Sequence, residues 1–146
     1  MNVEIWLEQV AKLDQLINAK LAERDQVWSM ATSVTSKSSD GMPHAKGAIS
    51  DPVGTGAIKL RMLAAEIDNL IDKYVDHKQL VLRMLEKLSD KEYGVLHRQY
   101  IRYMTIEEIA DDMGYCTRQI SRIKKNALKN LEVVITSHGM SHLNVI

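Results

Sequence analysis

Phenylalanine is absent from this 146-residue chain, and aromatic residues of every kind make up only 5% of it. A sheet core built on aromatics is therefore excluded. Eight methionines, with many leucines and isoleucines, have to fill the interior, a supply that suits helices better than strands. One cysteine, Cys116, rules out an internal disulfide. No apolar run approaches the roughly 20 residues that a bilayer span needs. The start of the chain, Met1 to Trp6, has no basic segment leading into an apolar one, so it does not read as a signal peptide, and a cytoplasmic protein is expected. Charge of one sign is missing too: 19 Lys and Arg balance 19 Asp and Glu. That excludes a generally polycationic protein but leaves room for a local basic face.

What is present is a globular composition, 45% hydrophobic and 26% charged, enough for one domain or two small ones. Trp6, Val10, Leu13 and Ile17 are spaced 4-3-4, with Leu21 and Trp28 extending the stripe, which predicts an amphipathic helix from about Val3 to Met30. Residues 32–56 hold both prolines and four of the seven glycines without helical period, and are expected to form a mobile loop. Leu60, Leu63, Ile67, Leu70, Tyr74, His77, Val81, Met84 and Leu88 then alternate in steps of 3 and 4. This seam predicts a second helix over 57–88, about 48 Å long, packed on another helix. An antiparallel hairpin over 1–88 follows. A thin hairpin would leave Ile71, Val75 and Leu85 exposed, and self-association into a homodimer would cover them, so the residues from Leu60 to Met84 in the seam are candidates for oligomerisation.

From residue 89 the pattern shortens. Ser89 with Glu92, and Thr105 with Glu108, have capping-box spacing. Ile106, Ile109, Ala110 and Met113 share one side of a short helix that Gly114 stops. The next helix starts at Cys116 or Thr117 and runs to about Leu131. Three helices with a Gly-containing turn between the last two make a helix-turn-helix over 89–135, followed by a tail over 136–146. The expected fold is thus all-α: a long hairpin, then a C-terminal helix-turn-helix domain.

The last helix carries the chemistry. Ile120, Ile123, Ala127, Leu128 and Leu131 form an inward face, and Arg118, Arg122, Lys125 and Lys129 lie opposite at steps of 4, 3 and 4. Lys124 adds a fifth positive charge, and no acid appears before Glu132. Arg pairs bidentately with guanine and Gln with adenine in the major groove, while Lys and Arg further along meet phosphates. Thr117, Arg118, Gln119, Ser121, Arg122, Lys124, Lys125 and Lys129 are the candidate contacts to double-stranded DNA.

Other features favour bland readings. Glu107, Glu108, Asp111 and Asp112 could suggest a metal or acid–base site, but acids in a helix first turn are favoured by capping and the macrodipole. His138 and His142 have metal-ligand spacing without an evident third ligand. Cys116, near a helix N-terminus, reads as a substitution for serine rather than a redox centre. His77 reads as a seam-edge histidine. With no phosphate loop, nucleophile elbow or metal triad, no catalytic residue, cofactor or metal is expected, and the chain is not read as an enzyme.

The segments Tyr100–Ala110, Met113-Gly114-Tyr115, Arg118–Ile123 and Ala127-Leu128 resemble region 4 of bacterial sigma-70 factors. The whole layout is similar to small phage regulators of late transcription of the ArpU and RinA kind. The resemblance implies promoter-region DNA binding through Thr117, Arg118, Gln119, Ser121, Arg122 and Lys125, and contact with host RNA polymerase. One departure is Cys116, where the family has a serine cap. A small-terminase-like DNA-packaging protein and a protein-interaction module docking on polymerase or another regulator remain as alternatives.

Overall fold

A computed structural model describes residues 2–36 and 52–139. All regular structure among them is helical: α1 (Val3–Ser36), α2 (Pro52–Leu85), α3 (Asp90–Leu96) continuing into a π-helical turn (His97–Ile101), α4 (Ile106–Met113) and α5 (Thr117–Ser137). No helix among the described residues is long and apolar enough to cross a membrane.

The chain divides into two compact units, Met1–Asp14 with Lys73–Ile146, and Gln15–Asp72. These bounds cut across the expected 1–88 and 89–135 segments, because α1 and α2 each contribute to both units. In the second unit, Lys20 pairs with Glu66 at 2.9 Å, and a Cβ built on buried Gly56 would meet the Cβ of Ala31 at 3.2 Å. Positions rising along α1 thus meet positions falling along α2, as in an antiparallel hairpin. Among the described residues of this unit, Ile17, Leu63 and Ile67 are the buried large apolar side chains.

In the first unit the start of α1 lies in the main core. Val3, Trp6, Leu7 and Val10 cluster with Val81, Met84 and Leu85 of α2, Leu96, Tyr100, and Ala127, Leu131 and Ile135 of α5. A second cluster of Val95, Ile109, Ala110 and Ile120 joins α3, α4 and α5. His77 is half-buried, its Nε2 2.9 Å from the carbonyl oxygen of Trp6 and its ring edge-on to the indole at 5.4 Å. The α3 helix closes through a π-turn in which Arg102 N–H donates to the His97 carbonyl at 3.1 Å. Tyr103 follows with φ +56°, a left-handed conformation that a non-glycine residue adopts only at a cost.

Several expectations are corrected. The loop expected over 32–56 is helical at 32–36 and from Pro52 onward, and its middle lies outside the described residues. Proline opens α2, a first-turn position where its missing N–H costs nothing, and glycine at 56 permits the close approach to Ala31. Trp28, expected on the buried stripe, is 61% exposed, whereas Leu85, expected on the surface, is fully buried because α1 and α5 both reach it through the main cluster. Ser89 makes no side-chain cap bond; Glu92 instead accepts from Asn130 Nδ2 of α5 at 2.7 Å. The last helix continues past Leu131 to Ser137, since Ile135 is buried in the core.

Candidate nucleic-acid interface

The turn that presents α5 is built locally. Glu108 N–H donates to Thr105 Oγ1 and Thr105 N–H to Glu108 Oε2, each at 3.3 Å, completing the expected capping box of α4. Gly114 ends α4 with φ +74°, its N–H and that of Tyr115 both donating to the Ala110 carbonyl, at 2.9 and 3.0 Å. An L side chain at this backbone conformation is strained, which is why glycine stands here. Lys91 lies over the Tyr115 ring at 5.7 Å. Cys116 takes the N-cap position of α5, which begins at Thr117; its backbone is extended and its side chain makes no cap bond. Its thiol is exposed.

Burial fixes the orientation of α5. Ile120, Ala127, Leu131 and Ile135 are fully buried along one side. Arg118, Arg122, Lys125 and Lys129 are exposed on the other, and among the described residues no carboxylate lies in ion-pair reach of any of the four. Thr117, Gln119 and Ser121 are also exposed. Cys116, Arg118, Gln119, Arg122, Ile123 and Asn126 line an open groove of about 400 Å³. Asn126 was not singled out from the sequence; its position four residues after Arg122 and seven after Gln119 was the available signal.

Lys124 does not join this face. Its side chain is only 21% exposed, its Nζ is 3.1 Å from Glu4 Oε1, and it lies 5.8 Å from the Tyr100 ring centroid. Tyr100 Oη donates to the same Glu4 oxygen at 3.1 Å. The Lys124 ammonium beside Glu4 holds its carboxyl below the usual carboxylate range, against the opposing effect of partial burial. Burial, with Glu4 adjoining, pushes the Tyr100 hydroxyl up.

The acids of α4 are largely accounted for. Glu108 is in the capping box, and Asp112 accepts from Arg98 Nε at 2.5 Å, a bond that keeps the Asp112 carboxyl low. Among the described residues no three His, Cys, Asp or Glu side chains converge as metal ligands. His138 contacts Lys87 and has its Nδ1 2.9 Å from the Val134 carbonyl oxygen; His142 lies outside the described residues. The seam residues of α2 are packed within the chain: Leu63, Ile67, Val81 and Met84 are buried, and Leu60, Leu70, Tyr74 and His77 half-buried. Ile71 and Val75 stay 40% and 41% exposed.

This geometry defines a class: a helix-turn-helix whose second helix turns an unpaired cationic face to solvent. Residues 84–132 match the family model for sigma-70, region 4. The chain is 33% identical over 89 residues to RNA polymerase sigma factor SigO of Bacillus subtilis, a match covering 61% of this chain and 48% of that protein. It is also 33% identical over 64 residues to the RNA polymerase sigma-G factor of Clostridium acetobutylicum, covering 44% of this chain and 24% of the relative. The matches thus span less than half the length of these relatives. No solved structure matches. Residues 84–132 are therefore similar to sigma-70 region 4, and this likeness together with the cationic face supports a DNA-binding, transcription-related role.

Proposed function

We propose that this chain is a sequence-specific, non-catalytic DNA-binding regulator of transcription in which α5 enters the major groove. The observation that carries the reading is the face of Arg118, Arg122, Lys125 and Lys129, unpaired and opposite a fully buried stripe. Arg118, Gln119 and Arg122, nearest the helix start, read base edges; Lys125 and Lys129 meet phosphates; Thr117 and Ser121 lie at the margin. The layout resembling phage late-transcription regulators makes late promoters in a bacterial host's cytoplasm the proposed setting, with host RNA polymerase as protein partner. Self-association as a homodimer would place two reading helices on one site. With much of the α2 seam packed within the chain, the dimer surface would draw on residues still exposed, such as Ile71 and Val75.

Footprinting on promoter DNA across several salt concentrations tests the reading. Protection of a defined site above the nonspecific background is the expected result, and binding without sequence preference at every salt concentration refutes it. Arg118→Glu and Arg122→Glu should each weaken specific binding by tenfold or more, given about 1–3 kcal/mol for a good bidentate contact. Regulation that survives in a variant unable to bind DNA would favour a protein-docking module instead. A ring of about eight copies in solution, rather than a dimer, would favour DNA packaging.

A further inference from the structure

We infer that Glu4, on the first turn of α1, is a positioning residue for α5: by accepting hydrogen bonds from Lys124 and Tyr100 together, it sets the roll of the reading helix about its axis. The inference rests on the DNA-reading role proposed for α5.

The contact joins parts of the chain that are remote in sequence. Glu4 Oε1 takes Lys124 Nζ at 3.1 Å and Tyr100 Oη at 3.1 Å, and Tyr100 is only 7% exposed. The turn bearing Glu4 is itself fixed, because Asn2 Oδ1 accepts from the backbone N–H of Glu4 at 3.0 Å and of Ile5 at 3.4 Å. Val3, Trp6 and Leu7 anchor the same turn in the core that receives Leu131 and Ile135. Glu4 is thus a rigid post rather than a loose surface carboxylate.

The buried stripe decides which face of α5 turns inward, but hydrophobic burial is not directional and leaves the finer roll less constrained. A hydrogen-bonded junction is directional. The tolerance matters at the DNA: a roll of about 20° moves an atom about 6 Å from the helix axis through about 2 Å, enough to break a bidentate base contact. A partly exposed ion pair of this kind contributes modestly to stability, so its main consequence should appear in geometry. It also removes Lys124 from the cationic face, leaving four cations there.

The test compares the full wild-type chain with Glu4→Gln, Lys124→Met and the double variant, on a selected binding site and on random duplex DNA over a salt series. Gln leaves an amide oxygen but removes the negative charge, so the charged contact that holds Lys124 is lost. Each single variant should lower the ratio of specific to random affinity about tenfold, and the double variant no further, because both break one contact. Glu4→Gln should also steepen the salt dependence on random DNA by about one phosphate contact, as Lys124 is released, whereas Lys124→Met should leave it unchanged. A ratio within twofold of wild type in Glu4→Gln overturns the inference. So does a salt slope that flattens by about one contact in Lys124→Met, which would make Lys124 a direct phosphate ligand. Amide hydrogen exchange without DNA supplies a readout independent of the proposed function. Faster exchange at 117–125 in Glu4→Gln, with α4 unchanged, supports positioning, and unchanged exchange overturns it. If the wild-type chain shows no sequence preference, the DNA-reading function fails, and hydrogen exchange decides the role of Glu4.

Discussion

In the unit formed by Met1–Asp14 and Lys73–Ile146, apolar stripes meet helices from several directions and disappear into two clusters. In the unit Gln15–Asp72, the described residues belong to α1 and α2, and Leu16, Trp28, Met30, Ile58, Met62 and Ile71 remain 40% or more exposed. The contrast shows that an amphipathic pattern states which residues are available for burial, while the number of covering elements decides which are buried. It also locates the burial that holds α5 in the first unit, while exposed apolar side chains remain in both, among them Val75 in the first and Ile71 in the second.

The two tryptophans of α1 offer the sharpest way to break this comparison. Trp6 is 1% exposed and Trp28 61% exposed. Trp6→Ala should cost about 3–5 kcal/mol through lost burial and an internal cavity. Because the same cluster holds α5, DNA binding should fall with it, although Trp6 is far from α5 in sequence. Trp28→Ala should stay within about 0.5 kcal/mol of wild type. Thermal and denaturant unfolding of both variants would check this, and equal losses would mean that the second unit is covered in solution.

The turn before α5 comes next. Gly114→Ala places a Cβ at φ +74° and should destabilise the chain by about 1–2 kcal/mol, read as a lower Tm. Cys116→Ser should act in the opposite direction. A hydroxyl can accept from an N–H of the first turn where the thiol makes no cap bond, and the expected gain is about 0.5–1 kcal/mol. A Tm unchanged or lowered in Cys116→Ser would show that Ser at this position fails to cap.

A smaller effect concerns pH. Burial depresses the pKa of His77 below its ordinary 6.5, outweighing the opposing contact with the Trp6 carbonyl. His97 is depressed as well, by burial and then by Arg102, Arg98 and Lys78. Each therefore favours the fold while neutral. That contribution is complete above pH 6.5 and is lost as pH falls below it, because the unfolded chain takes up the protons first. Tm measured against pH should drop below 6.5, and His77→Gln should flatten the drop. The smallest effect is expected at Lys20, whose ion pair with Glu66 is solvent-exposed; Lys20→Met should leave the Tm within error at high salt.

Local rules made much of this protein legible from sequence. Steps of 3 and 4 placed Arg118, Arg122, Lys125 and Lys129 opposite Ile120 and Leu131, since helical period is a property of the backbone. The Thr105 capping box and the stop at Gly114 could be read because each is completed within four residues. Tertiary structure alone decided the rest. Lys124 has the charge and the neighbours of a phosphate contact, yet it is claimed by Glu4 from the other end of the sequence. Leu85 and Trp28 exchanged their expected exposures because coverage depends on which helices arrive, and periodicity does not specify that. Glu92 left its expected cap for Asn130. The sequence by itself determined which face of α5 is cationic, through contacts between near neighbours. Only the tertiary structure brought the first turn of α1 into the core beneath that face, because that packing is made between residues more than a hundred positions apart.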